Sequence, residues 1–199
     1  MPPLLTCPVG ASIPSRFVVW MWDWTPKGVR WAINSTPRRT DVARSGLLWT
    51  ALQAGRDCWQ WDSDVISPLS YDTLLSFIQE DIRDGYDAIV APTAGMNGKV
   101  LLLPAGEVDR NKAFPIDGPL CGMFYITAGA LAKLKPIAIQ EGIMGEKHPM
   151  YCTYGIHEGK SYSEDMDLAY RARQVGLRLG ADPRLVMRHM AKMDAVVVP

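Results

Sequence analysis

Short apolar runs alternate with amphipathic segments along most of this chain. Leu4–Val9 is an apolar run followed by Gly10, which predicts a buried strand that ends in a tight loop. Residues 41–54 repeat their apolar side chains at helical spacing, and Gly55 follows where a helix would end. Residues 57–62 predict the next strand. The opening third of the chain therefore indicates strands separated by helices.

One early segment allows two interpretations. Residues 13–23 form either a buried strand or a helix that begins at Pro14, and periodicity does not separate them. We favour the helix, because residues 31–34 then supply the second strand after the Pro26-Lys27-Gly28 break.

The same pattern continues to the end of the chain. It predicts helices at 67–85, 128–134 and 163–175, strands at 86–91, 100–103, 120–126, 177–180 and 185–190, and irregular Pro/Gly-rich or polar segments between 135 and 162. We therefore expect one α/β domain over residues 1–199, with a Rossmann-like, mostly parallel sheet flanked by helices. Folds of this class bind ligands at the carboxyl ends of their strands.

Composition narrows the class of protein. The 199 residues carry 21 basic and 21 acidic side chains, so the general basic excess of nucleic-acid-binding domains is missing. No apolar run approaches the roughly 18 residues of a membrane span, and the first residues lack the basic start of an export signal. The four cysteines form no C-x-x-C pair. These features predict a cytoplasmic protein with reduced cysteines and no membrane span.

The segment Asp62-Ser63-Asp64 follows an apolar run at a predicted strand end. If the strand alternation continued through it, both carboxylates would point the same way and offer the oxygen ligands that a divalent cation prefers. One interpretation of this D-x-D is a metal that bridges a diphosphate. The other is an ordinary turn, because Asp and Ser end strands in many proteins.

The helix predicted at 163–175 begins with Ser163, Glu164 and Asp165. Acidic residues in a first turn complement the helix dipole, so capping alone explains them. A carboxylate at the mouth of a cleft is also a suitable general base, and Asp165 is the candidate for that role. His189, in an apolar strand, is either a satisfied polar residue or a metal ligand that joins Asp64 in space.

Taken in order, these segments resemble the family-2-like glycosyltransferases of the GT-A fold, which use nucleotide sugars. The matching segments are TCPVG (6–10), DVARSGLL (41–48), DSD (62–64), GPLCGMF (118–124), SEDMDLAYRA (163–172), GLRLGADP (176–183) and His189. They cover nearly the whole chain in the family's order.

The resemblance implies a role for each matching segment. It implies that Pro8, Val9, Asp41 and Arg44 line the nucleotide pocket. It further implies that Asp62, Ser63 and Asp64 hold the nucleotide and its Mn²⁺ or Mg²⁺, and that His189 completes the metal shell. Glu164 or Asp165 would lie near donor and acceptor, with Asp165 as the base if the reaction inverts the anomeric centre.

The expected reaction moves a sugar from a nucleoside-diphosphate sugar to a hydroxyl acceptor. Glycans and small molecules are acceptor classes, and modified DNA bases are another if the chain is a short phage or environmental form. Two alternatives remain open: a nucleotidyltransferase, although the loop Pro8-Val9-Gly10-Ala11 lacks the expected lysine, and a non-catalytic nucleotide-binding domain.

Overall fold

The structure is a computed structural model that describes residues 1–9, 13–35, 40–93, 102–141, 147–157 and 159–190. Its helices are α1 (Ser15–Trp24), α2 (Thr40–Gln53), α3 (Tyr71–Arg83), α4 (Ala128–Leu131) and α5 (Glu164–Gln174). Its strands are β1 (Leu4–Val9), β2 (Trp31–Ser35), β3 (Cys58–Trp61), β4 (Val65–Ile66), β5 (Ala88–Val90), β6 (Leu103–Pro104), β7 (Phe114–Gly118), β8 (Met123–Ile126), β9 (Ala138–Glu141), β10 (Lys147–Met150), β11 (Gly155–His157), β12 (Lys160–Tyr162), β13 (Leu179–Ala181) and β14 (Arg188–His189).

An eight-stranded sheet in the order β2-β1-β3-β8-β5-β13-β7-β6 forms the centre. β1 pairs in parallel with β2 and β3, and β5 pairs in parallel with β13. β8 is antiparallel to β3 and β5, while β7 is antiparallel to β13 and β6. All strands of the sheet except β7 and β8 therefore run in one direction. The predicted α/β fold with a mostly parallel sheet flanked by helices is confirmed.

Helices cover both faces of this sheet. On one face, Leu48 of α2 and Leu168 of α5 pack in a core with Phe124 of β8. On the other face, Phe17 of α1 and Leu74 of α3 pack in a second core, which is rich in aromatic rings. Burial of apolar side chains on both sides stabilises a central sheet and explains why β3, β5 and β8 are buried along their whole length.

Local signals end the helices where the sequence indicates. The Ser70 hydroxyl accepts a hydrogen bond from the Thr73 amide at 3.2 Å and so caps the start of α3. Gly85 follows α3 with a φ of 91°, a left-handed conformation that favours glycine. The segment at 13–23 contains α1, so the helical interpretation is confirmed.

Several elements differ from the sequence-based expectation. β4, β7 and the β9–β10 hairpin were not predicted, and α4 is shorter than the helix expected at 128–134. The strand predicted at 185–190 is reduced to β14. Residues 100 and 101 of the strand predicted at 100–103 lie outside the described residues, and Leu103 begins β6. The segment 152–162, expected to be irregular, forms the β11–β12 hairpin.

Two further expectations concern compartment and redox state. The four cysteines are free thiols, as predicted. Across the described ranges, no helix combines the length and apolar character that a bilayer crossing requires.

Candidate active site

The candidate site is built around Arg44, which lies in α2 and is 2% exposed. Its Nη1 atom donates a hydrogen bond to Gln60 Oε1 at 2.8 Å. Its Nη2 atom lies 3.3 Å from Asp62 Oδ1 and 3.6 Å from Glu164 Oε1. One buried guanidinium thus joins the start of α2, the end of β3 and the start of α5. This is the carboxyl edge of the parallel strands, where the sequence predicts a ligand site.

The charges in this network shift each other's pKa. Desolvation by itself lowers the pKa of Arg44, but Asp62 and Glu164 raise it above its ordinary value, so the guanidinium stays charged. Desolvation raises the pKa of Asp62, with Arg44 opposing the rise and Asp64 adding to it. The Nε atom of Arg44 and the Nε2 atom of Gln60 are buried and have no hydrogen-bond partner among the described residues. The site therefore holds donors that its own described side chains do not satisfy.

Asp62-Ser63-Asp64 forms a turn between β3 and β4, in which the Val65 amide donates to the Asp62 carbonyl at 3.1 Å. The argument from strand alternation is therefore wrong for this segment. Asp62 Oδ2 accepts from the Gly122 amide at 2.9 Å, and Asp62 Oδ1 faces Arg44. Because both of its oxygens have partners, Asp62 is better placed to hold Arg44 than to hold a cation.

The backbone segments that carry Asp64 and His189 are adjacent. β14 pairs antiparallel with β4, which sets His189 opposite Val65, and the Met190 amide donates to the Asp64 carbonyl at 2.7 Å. The imidazole of His189 is outside the described part of the structure. Among the side chains that are described, no group of three or more His, Cys, Asp and Glu residues is arranged to hold a metal.

The chemistry of these donors nevertheless fits a divalent cation. Carboxylate and imidazole are a mixed oxygen and nitrogen pair of donor types that suits manganese. Metal binding by Asp62, Asp64 and His189 stays a prediction.

The end of β1 contributes buried residues. The side chains of Pro8 and Val9 are buried, and these residues pair with Asn34 and Ser35 of β2. Cys7 was not predicted as a site residue, but burial and the charges of Asp62 and Asp64 raise its pKa to about 12. Cys7 is therefore a protonated thiol beneath the acidic turn. Nucleotide binding by Pro8, Val9 and Ser63 stays a prediction.

The first turn of α5 holds three carboxylates, of which Glu164 and Asp165 lie in different settings. Glu164 is 8% exposed, and besides Arg44 it interacts with Tyr154, whose pKa is raised by burial and by Glu164. Asp165 is partly exposed, and its Oδ1 accepts from the Ser163 hydroxyl and from the Met166 amide. Burial, then Asp165 and Asp62, raise the pKa of the half-buried Cys121. Asp165 is thus the more accessible carboxylate.

Asp41 is fully buried at the start of α2. Its Oδ1 accepts from the Val42 amide at 2.9 Å, and its Oδ2 accepts from the Thr153 hydroxyl at 3.1 Å. These bonds fix α2 to the segment before β11. A role for Asp41 in the nucleotide pocket stays a prediction.

Asp167 has a structural role that sequence reasoning missed. Its fully buried carboxylate accepts from the Thr153 amide at 2.9 Å, from Arg171 Nε at 2.8 Å, and pairs with His157 Nε2. The His157 ring also stacks on Tyr170, with 4.4 Å between the ring centroids. The β11–β12 hairpin is therefore anchored to α5. In the sequence, Asp167 is indistinguishable from the other acidic residues that favour a helix start.

Comparison with known proteins gives a likeness of fold. No protein-family model matches the chain, and no curated protein does. The A197 protein from STIV is similar in structure with a TM-score of 0.62 and 14% identity, covering 95% of this chain and 94% of that one. UDP-glucose pyrophosphorylase from Acinetobacter baumannii gives a TM-score of 0.55 and 10% identity, with 98% and 91% covered. Its UTP-bound form gives 0.52 and 9%, with 96% and 89% covered. At these identities the likeness concerns the fold over nearly the whole length of each chain.

Proposed function

We propose that this chain is a metal-dependent glycosyltransferase that uses a nucleoside-diphosphate sugar. The observation that carries the proposal is the β4–β14 pairing, which sets His189 beside the Asp64 turn while Arg44 links Asp62 to Glu164. The position of Arg44, Asp62 and Glu164 at the carboxyl edge of the parallel strands supports the proposal, as does the order of the motifs along the chain.

Asp64 and His189 would hold the Mn²⁺ or Mg²⁺. A divalent cation held there would supply positive charge to balance the negative charge of a departing nucleoside diphosphate. Arg44, kept charged by its carboxylate partners, holds the Asp62 turn in place and adds positive charge to the site. Preorganised charge of this kind stabilises a transition state without reorganisation during the reaction.

Asp165 is the general base in this proposal. Glu164 is occupied by Arg44 and Tyr154, so it positions the start of α5. Asp165 is more exposed, and its hydrogen bonds with Ser163 and with a helix amide limit the rotation of its carboxylate. A positioned base of this kind contributes roughly 10²- to 10⁴-fold to a rate.

The test measures nucleoside diphosphate released from UDP, GDP, ADP and dTDP sugars, with and without Mn²⁺. We expect metal-dependent release, with water as acceptor where no other is present, and a loss of at least about 100-fold in Asp64→Ala. Asp165→Asn should lose transfer while nucleoside diphosphate affinity stays within about twofold. Asp72→Asn, an exposed carboxylate on α3, is the matched control. If no sugar nucleotide binds under either condition, the proposal is wrong.

A nucleotidyltransferase is the second candidate, because the similar structures include UDP-glucose pyrophosphorylase. Such an enzyme would join a nucleoside triphosphate to a sugar 1-phosphate and release pyrophosphate. The absence of Lys and Arg from positions 8–14 counts against a nucleotidyltransferase. In such an enzyme the loop after the first strand would bind the triphosphate, and a basic side chain there would pair with its oxygens. Pyrophosphate release from UTP and glucose 1-phosphate, without diphosphate release from sugar nucleotides, would favour this candidate over the first.

A further inference from the structure

A groove of about 450 Å³ lies beside the candidate site, between α1 and the segment that joins β4 to α3. We call it the tryptophan groove; it is lined by Trp20, Asp23, Trp24, Ser67, Pro68, Leu69, Ser70 and Tyr71. Its volume falls within the range of about 300–1,000 Å³ that is typical of small-molecule sites. The functional assignment above does not use it.

The two indoles of this groove are held rigidly. Trp20 Nε1 donates to the Ser67 carbonyl at 3.1 Å, and Trp24 Nε1 donates to the Leu69 carbonyl at 2.8 Å. The rings stack on each other with centroids 4.9 Å apart, and both pack against the buried Trp61. A preorganised aromatic surface binds a ligand at a low cost in conformational entropy.

These hydrogen bonds decide what the groove offers a ligand. Both indole N–H groups are occupied, so the parts of these two partly exposed rings that line the groove offer apolar surface rather than donors. A proline-rich peptide needs donors from an aromatic groove for its carbonyls, and here the indole donors are already used. A sugar ring needs an apolar surface for its C–H face and polar groups for the hydroxyls at its edge.

The charge at the groove rim argues against a nucleic acid as the ligand. Asp23 is exposed at the rim, Ser70 lies opposite, and none of the lining residues among those described is Lys or Arg. A nucleic acid would bring its phosphates toward a carboxylate without a cation to neutralise them. A neutral carbohydrate brings hydroxyl donors, which a carboxylate accepts well.

The groove is also connected to the site. Its floor begins at Ser67, three residues after Asp64, so the two Cα atoms are at most roughly 11 Å apart. The Ser67 hydroxyl donates to the Val186 carbonyl at 2.8 Å, on the segment that leads to β14. The groove therefore lies close to the acidic turn along the chain.

We propose that the tryptophan groove binds a neutral oligosaccharide, and that the acceptor of the proposed transfer is a glycan. The role of the oligosaccharide as acceptor rests on the proposed glycosyltransferase function. Binding of the oligosaccharide to the groove does not depend on that function. It favours a carbohydrate over a modified DNA base among the acceptor classes.

The test replaces all seven tryptophans with 5-fluorotryptophan and follows their ¹⁹F resonances, assigned through single Trp→Phe variants. The probes are maltotetraose, cellotetraose, xylotetraose and chitotetraose. We expect at least one of them to shift the Trp20 and Trp24 signals saturably. The signal of Trp22, which is 82% exposed and does not line the groove, should stay in place. Asp23→Ala should weaken binding about 10-fold, and the exposed Asp72→Ala should not.

Three results would overturn the inference: no probe shifts Trp20 or Trp24, Trp22 shifts equally, or a single-stranded DNA or proline-rich peptide shifts the pair instead. Hydrolysis of a sugar nucleotide by water does not need the groove. If hydrolysis is present and no tetrasaccharide binds, the groove inference fails and the glycosyltransferase proposal survives. If a tetrasaccharide binds without hydrolysis of any sugar nucleotide, the groove binds a glycan and the transfer proposal fails.

Discussion

Replacing Asp81 with asparagine should make the stability of the protein less sensitive to pH. Asp81 of α3 is 1% exposed and lies beside Asp182, which follows β13 and is fully buried. Arg184 Nη2 contacts Asp81 Oδ1 at 3.0 Å and Asp182 Oδ2 at 2.9 Å, while Arg184 Nη1 contacts the half-exposed Glu80 at 2.8 Å. Asp81 Oδ2 is buried without a donor among the described residues. One guanidinium therefore serves three carboxyl groups.

A proton on Asp81 relieves this arrangement, because Asp81 then donates to Asp182. Desolvation and then the neighbouring Asp182 raise the pKa of Asp81 from 3.8 to about 8. Because the pKa of Asp81 is higher in the folded protein than in the unfolded chain, this group contributes to the free energy of unfolding. The contribution is complete below about pH 4 and is lost as the pH rises to about 8. In that window the folded protein binds one more proton than the unfolded chain, so stability falls by about 1.4 kcal/mol per pH unit. From pH 5.5 to 7 the loss is about 2 kcal/mol, or roughly 4–8 °C in Tm for a chain of this size.

Thermal denaturation of the wild type and Asp81→Asn at half-unit steps from pH 5 to 8.5 measures this loss. The amide of the variant donates to Asp182 at every pH, so the variant should gain on the wild type by about 2 kcal/mol between pH 5.5 and 7. Asp72→Asn, an exposed change on the same helix, controls for general effects of charge and should run parallel to the wild type. Parallel curves for Asp81→Asn and the wild type would refute the shared proton.

Three further predictions, the last with a control substitution, test packing at the candidate site and in the rest of the fold. Arg44→Met leaves the buried Glu164 and the partly exposed Asp62 without their cation. It should cost about 3 kcal/mol in urea denaturation, and a loss below about 1 kcal/mol would contradict the central role of this residue. His157→Ala removes a partner of the buried Asp167, so it should lower the free energy of unfolding by about 1–3 kcal/mol and speed limited proteolysis within 153–162. An unchanged cleavage rate would argue against anchoring of the β11–β12 hairpin to α5. Gly180→Ala places a Cβ 2.7 Å from a tyrosine ring and should destabilise the protein. The control, Gly129→Ala in α4, meets open space and should be neutral or stabilising by up to about 1 kcal/mol. Equal effects of the two substitutions would contradict the packing around Gly180.

The elements that sequence reasoning predicted well are those whose signals are local. Helical periodicity followed by glycine located α2, α3 and α5, because Gly55, Gly85 and Gly176 all adopt positive φ just after a helix. β7 was missed because Phe114–Gly118 contains a proline, an aspartate and a glycine, which are typical of turns. Its pairing with β13 joins residues more than 60 positions apart, and no local pattern encodes that contact.

In the candidate site, too, the features with local sequence signals were predicted and the long-range ones were not. The sequence located the Asp62–Asp64 turn and the acidic start of α5, because both follow recognisable element ends. It did not indicate that Arg44 joins them, since Glu164 lies 120 positions further along the chain. Nor did it separate Asp167, a buried anchor, from the exposed acidic residues of a helix start. Burial and long-range pairing decide these roles, and a single sequence records neither directly.

Pulsed electron paramagnetic resonance of bound Mn²⁺ tests the central claim most directly, namely that Asp64 and His189 converge on a metal that also meets a nucleoside diphosphate. The sample is the full chain with Mn²⁺ and, in turn, UDP, GDP, ADP and dTDP. We predict a ¹⁴N coupling and a ³¹P coupling on the same ion, with the nitrogen coupling lost in His189→Gln and Mn²⁺ affinity reduced at least about 10-fold in Asp64→Ala. A bound ion that shows no histidine nitrogen, or no phosphorus with any of the four diphosphates, would contradict the account.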